Sequence, residues 1–175
     1  MLKKLLAVVL TGAMALTLFT ACGSNAVRDK DIADALNNIV KLNDSEVTFT
    51  PRAKEREMAQ KVAALLESHS EDDSNSAELS AKIQGILGID QGGVNENNFV
   101  WVQNALTDKL GAEGQAFQVM ESLTDKGGAY NFSSLGSKEP ADTRYMGTAL
   151  CKIPDQKDNL VTVRVIVVTA KAEDE

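Results

Sequence analysis

Through most of the chain the apolar residues recur three or four positions apart, and near the C-terminus they switch to every second position. Ile32, Leu36, Ile39 and Val40 stand at offsets of 0, 4, 7 and 8, which marks one face of a helix from Asp29 or Asp31 to about Asn43. Met58, Val62, Leu65 and Leu66 repeat those offsets behind Thr50-Pro51, which offers a capping hydroxyl and then proline at the first helical position. That second helix should run to about Ser68, with Lys54, Glu55, Glu57 and Lys61 toward water. Asn75 with Glu78 three residues on has the form of a capping box. It opens a third helix that buries Leu79, Ile83, Ile86 and Leu87 and stops at Gly88. Phe99, Val102, Leu106 and Leu110 give a fourth apolar face, with Trp101 beside it and Gly111 as its end. Ala116, Phe117, Met120 and Leu123 give a fifth before Gly127-Gly128.

Between these lie Ser70 to Ser76, polar and acidic, and Ile89 to Asn98, which holds Gly92-Gly93 and three asparagines; both predict loops. Glu46 to Thr50 alternates and predicts a short strand or an extended connector. Beyond Gly127-Gly128 the period becomes 2, first at Tyr130 and Phe132 and then in two long runs. Tyr145, Gly147, Ala149, Cys151 and Ile153 share one face of the first. Val161, Val163, Val165 and Val167 share one face of the second, across the turn Pro154 to Asn159, so an antiparallel hairpin is predicted. Its other face sets Met146 and Leu150 against Thr162, Arg164, Ile166 and Val168 and is expected to be partly covered. The fold class is α+β: about five amphipathic helices packed on a small antiparallel sheet that ends in a C-terminal β-hairpin.

The first residues follow a different pattern. Lys3 and Lys4 precede an apolar run from Leu5 through Leu18, the layout of an export signal. The run stops at Thr20-Ala21-Cys22, short of the roughly 20 apolar residues a membrane-spanning helix needs. Leu18-Phe19-Thr20-Ala21-Cys22-Gly23-Ser24 resembles the lipobox of bacterial lipoproteins, with Phe19 bulkier than the usual aliphatic residue. The resemblance implies that the Cys22 thiol receives a diacylglycerol, that cleavage falls between Ala21 and Cys22, and that the two acyl chains anchor the protein stably. The expected organisation is a signal peptide over 1–21, a lipidated cysteine and short tether over 22–28, one globular domain over 29–172 and an acidic tail over 173–175. The expected location is the extracytoplasmic face of the cell membrane.

Composition adds limits rather than a substrate. The chain holds 18 basic and 25 acidic residues, and loss of Lys3 and Lys4 with the signal leaves a mature net charge of −9. Nucleic acid would repel such a domain, and the anchor, not a basic patch, must hold it at the bilayer. Of the two cysteines, lipid takes Cys22 and leaves Cys151 unpaired, so the domain must be stable without a disulfide.

Candidate chemistry is sparse. His69 is the only histidine, at the end of the second helix where the macrodipole favours it, and no Gly-x-Ser-x-Gly turn delivers a serine to it. One histidine and one remaining cysteine give poor support for zinc, and Glu71-Asp72-Asp73 lacks the spacing and turn glycine of a calcium loop, so no cofactor or metal is expected. Cys151 falls at an inward strand position and is expected to act as a small hydrophobe. Trp101, beside its stripe and just after the Gly92-Gly93 loop, is the one aromatic kept as a candidate ligand contact, together with Gly92 and Gly93.

The order of elements resembles the CAP domain, the family of cysteine-rich secretory and pathogenesis-related proteins. The residues concerned are the helix Ala35 to Leu42, the threonine-led helix with Glu55 to Gln60, Val100-Trp101-Val102, and a closing hairpin with Met146 to Ala149 and Val163 to Val168. That family's cleft is marked by two histidines with acidic partners. This sequence has no histidine in its first helix or near its last strands, so no cleft residue carries over. The expected function is a non-catalytic binding or assembly module of the cell envelope, with an envelope protein or wall ligand as partner. An envelope hydrolase gathering acids such as Glu96, Asp108 or Glu121 around a cleft is the rival. The ligand-delivering component of a transporter ranks last, since such proteins are usually larger and two-lobed.

Overall fold

A computed structural model describes residues 27–43, 45–68, 76–89, 98–107, 110–124, 138–155 and 157–173. Their order is α1 (Asp29–Leu42), β1 (Thr48–Pro51), α2 (Ala53–Ser68), α3 (Ser76–Leu87), β2 (Asn98–Leu106), α4 (Ala112–Thr124), β3 (Glu139–Pro154) and β4 (Leu160–Glu173). The strands lie in the order β1-β3-β4-β2, with β1 parallel to β3 and the other pairings antiparallel. The class is α+β as expected, while the sheet is mixed and the described helices number four.

The helix expected from Phe99 to Leu110 is strand β2 instead. Phe99, Val100, Trp101 and Val102 are aromatic or β-branched, side chains that favour a pleated surface. Alternation is lost because both faces of this strand are covered. Phe99, Trp101 and Ala105 enter the core on one side, and Val100 and Val102 the core on the other. Leu106, assigned to the buried stripe, is 51% exposed. In α4 Phe117 is likewise not buried but 75% exposed, because Ala116, Val119 and Met120 make the inward face.

Helices cover both faces of the sheet, where a single helical layer was expected. On one face α1 and α4 pack Ile32, Leu36, Val40, Ala116 and Val119 against Phe49, Trp101, Met146, Ile166 and Val168. On the other, α2 and α3 pack Ala59, Val62, Ile83 and Leu87 against Cys151, Val163, Val165 and Val167. Central strand β4 is therefore buried without a break from Val163 to Ala170. The hairpin is antiparallel as expected, and its register sets Gly147 opposite Val167, Ala149 opposite Val165 and Cys151 opposite Val163. Its second face, expected to be partly covered, buries Met146, Arg164, Ile166 and Val168 and leaves Leu150 and Thr162 half-buried.

Local chemistry places the ends of these elements. Pro51 closes β1 and does not begin α2, and the Arg52 N–H extends the ladder by donating to the Met146 carbonyl at 2.8 Å. The free edge of β1 is completed by a side chain. Asn37 Nδ2 donates to the Phe49 carbonyl at 3.0 Å, and its Oδ1 accepts the Phe49 N–H at 2.7 Å. Gly88, at φ +71, stops α3 as expected: its N–H donates to the Gly85 carbonyl and the Ile89 N–H to that of Gln84, a Schellman closure. Among the described glycines, Gly147 permits the closest approach of another element. A Cβ there would lie 2.0 Å from Arg56 N and 2.4 Å from the Glu55 carbonyl carbon, so the first turn of α2 rests on bare β3 backbone. Among the described residues no helix is long and apolar enough to cross a membrane.

Candidate functional site

Where β1 ends beside β3, the first turns of α1 and α2 meet across the edge of the sheet, and a polar chain starts there and runs inward. Asp29, in the first turn of α1, accepts from Arg56 Nε of α2 at 2.6 Å through Oδ2 and from the Thr148 hydroxyl of β3 at 2.6 Å through Oδ1. Thr148 Oγ1 in turn accepts from Arg164 Nη1 of β4 at 3.0 Å. Arg164 Nε donates to Gln115 Oε1 of α4 at 2.8 Å, and Gln115 Nε2 to the Leu110 carbonyl at 3.0 Å. Five elements are thus joined by side chains that are buried except at Arg56.

Burial pushes the Arg164 guanidinium down to about 10, against the opposing pull of the Asp29 and Asp31 charges, so it remains a cation at neutral pH. Its Nη2 has no acceptor among the described residues. Asp29 is held in place from its own helix, where Asp31 Oδ2 accepts the Arg28 N–H at 2.9 Å and Arg28 pairs with the Asp31 carboxylate. Burial pushes the Asp31 carboxyl up, but the Arg28 hydrogen bonds and charge outweigh it and hold it below the usual range.

A second cluster lies on the α2 face. Glu55, expected toward water, is fully buried, because the close approach at Gly147 turns the first turn of α2 onto the sheet. Its carboxylate is bracketed by Arg52, whose Nε donates at 2.6 Å and whose Nη2 makes a second, shorter bond, and by the Thr169 hydroxyl at 2.7 Å. Burial pushes the carboxyl up. The bonds from Arg52 and Thr169 pull harder, and the net direction is down. The Arg52 guanidinium lies 3.8 Å from the centre of the Tyr145 ring, a cation–π contact.

This arrangement binds elements together more readily than it performs a reaction. The Thr148 hydroxyl gives its proton to Asp29 but accepts from a guanidinium, which withdraws the electron density a nucleophile needs. The Glu55 carboxyl is held in its ionised form by Arg52 and Thr169, a poor state for a general acid, and both Asp29 oxygens are already engaged by Arg56 and Thr148. Among the described residues no group of three or more histidine, cysteine or acidic side chains could hold a metal.

Trp101 has no exposed surface. It stacks with Phe99, ring centres 5.7 Å apart, and lies 5.1 Å under the Arg144 guanidinium, which places it inside the α1–α4 core. Cys151 is buried against α2, and burial, aided by the Glu67 charge, pushes its thiol up to about 11. Ala21, Cys22, His69, Gly92, Gly93, Glu96 and Asp108 lie outside the described residues, as does the side chain of Glu121. The sequence reading missed Asp29, Gln115 and Thr148 altogether. Arg164 was the one visible signal, a cation at an inward-competent position among valines.

The chain matches no family model, no curated protein and no solved structure.

Proposed function

We propose that this chain is a bacterial lipoprotein, held on the extracytoplasmic face of the cell membrane by diacylglycerol on Cys22. Its domain over 29–172 serves the cell envelope as a non-catalytic binding or assembly module. The anchor rests on the ordered residues Lys3-Lys4, the apolar run, and Ala21-Cys22. The non-catalytic reading rests on one observation above the others: the polar chain from Arg56 through Asp29, Thr148 and Arg164 to Gln115 is engaged internally and buried except at Arg56. A second reading rests on the sequence resemblance to the CAP domain carried by Ala35 to Leu42, Glu55 to Gln60, Val100-Trp101-Val102 and the closing hairpin. On that alternative the domain is a diverged CAP-like one without the usual cleft histidines.

Two measurements test this. Mass analysis of the membrane-extracted protein should find the N-terminal peptide starting at a diacylated Cys22, and Cys22→Ala should abolish both cleavage and lipid. Purified protein should not turn over wall or peptide substrates. Turnover that is lost in His69→Ala would overturn the non-catalytic reading.

A further inference from the structure

We infer that the flank of the sheet where α1 and α2 begin, on the β3 side, is the surface that faces the bilayer. This rests on the reading of Cys22 as the anchor. Val27 and Arg28, the first described residues, immediately precede Asp29, which bonds to Thr148 of β3 and Arg56 of α2. Four residues, Gly23 to Ala26, separate Cys22 from Val27, and the five residue-to-residue steps fully extended reach about 17 Å. A domain of this size has a radius of gyration of roughly 15 Å and is about 40 Å across. To turn edge strand β2, at the opposite side of the sheet, toward the membrane, the tether would have to pass around half the circumference, about 60 Å on those dimensions. It is too short by a wide margin. The flank that carries the tether must stay against the lipid.

Charge fits the same orientation. The two segments that form the flank, 27–34 and 52–57, hold Arg28, Lys30, Arg52, Lys54 and Arg56 against Asp29, Asp31, Asp34, Glu55 and Glu57, a net of zero. Four of those bases are paired with four of those acids: Arg28 with Asp31, Lys30 with Asp34, Arg52 with Glu55, and Arg56 with Asp29. The mature chain carries −9 in all, and residues outside these two segments supply the whole of that excess. Two neutral, internally paired segments approach an anionic bilayer with less repulsion than the average charge of the chain would meet.

The test uses the full lipidated protein in vesicles of phosphatidylcholine and phosphatidylglycerol, with an environment-sensitive fluorophore on one introduced thiol at a time. Lys30→Cys and Lys54→Cys report on the flank, and Asn104→Cys on β2 and Lys157→Cys at the hairpin turn report elsewhere; all four positions are exposed. A headgroup-attached quencher should act severalfold more strongly at 30 and 54 than at 104 and 157. Equal quenching at the four positions, on protein that is acylated and bilayer-bound, overturns the orientation alone. Unacylated Cys22 and recovery in the aqueous fraction overturn the anchor, and the assignment of the flank falls with it.

Discussion

A single carboxylate illustrates how far local pattern and final environment diverge. Glu55 sits between Lys54 and Arg56 in a run of charged residues, and helical period alone sends it to water; the structure buries it completely. Arg52, three residues earlier, is 40% exposed and keeps one side of its guanidinium in solvent while closing on the carboxylate. Folding holds the Glu55 carboxyl below its ordinary 4.5. It therefore contributes stability that is complete above pH 4.5 and fades as the pH falls through that value toward the folded one. Glu55→Gln should cost about 1–2 kcal/mol at neutral pH, where a charge-assisted bond becomes a neutral one. The deficit should narrow below pH 4.5 when urea midpoints are compared between pH 7 and pH 3.5. A deficit that does not change with pH would show that the carboxylate's charge plays no part. Asn37 makes the same point with no charge involved, for nothing in a helical stripe announces that an amide on its polar side will complete the edge of β1.

At the scale of elements, legibility depended on whether one face or two were covered. The hairpin and its inward faces were readable because Val161, Val163, Val165 and Val167 alternate cleanly, while Pro154 and residues 139–142, read as turn and polar stretch, belong to β3. Helices α1, α2 and α3 were readable because each has one dry stripe. Strand β2 was not, since burial on both sides erases alternation and leaves an apolar run in which Phe99, Val102 and Leu106 happen to fall at helical spacing. The place of Gly147 was equally invisible, being set by another element's backbone. Its consequence is testable. Gly147→Ala would put a methyl group 2.0 Å from Arg56 N, so α2 must lift off β3, carrying Glu55 and Arg56 from their partners. The expected loss is about 3 kcal/mol or more, at the upper end for overpacking because backbone cannot rotate away. Thermal unfolding would measure it, and a midpoint equal to the parent's would show that α2 does not rest on that glycine.

At the scale of the molecule, two cores on opposite faces of one sheet raise the question of whether they fail separately. Apolar contact alone would allow the α1–α4 layer and the α2–α3 layer to open independently. The polar chain argues otherwise, because Asp29 on one side of the sheet is bonded to Arg56 on the other and reaches α4 through Thr148, Arg164 and Gln115. Cys151 offers a probe of this coupling. It lies in the α2–α3 core, remote from α4, and a buried thiol raised to about 11 reacts only when the structure opens. Asp29→Ala should cost about 2 kcal/mol, less than a fully buried pair because Arg56 can return to water while Thr148 and Arg164 cannot. If the layers are one cooperative unit, the Cys151 labelling rate under native conditions should rise about thirtyfold, the factor that 2 kcal/mol implies for the opening equilibrium. A destabilised protein whose Cys151 still labels at the parent's rate would mean that the layers open separately and that the polar chain does not couple them.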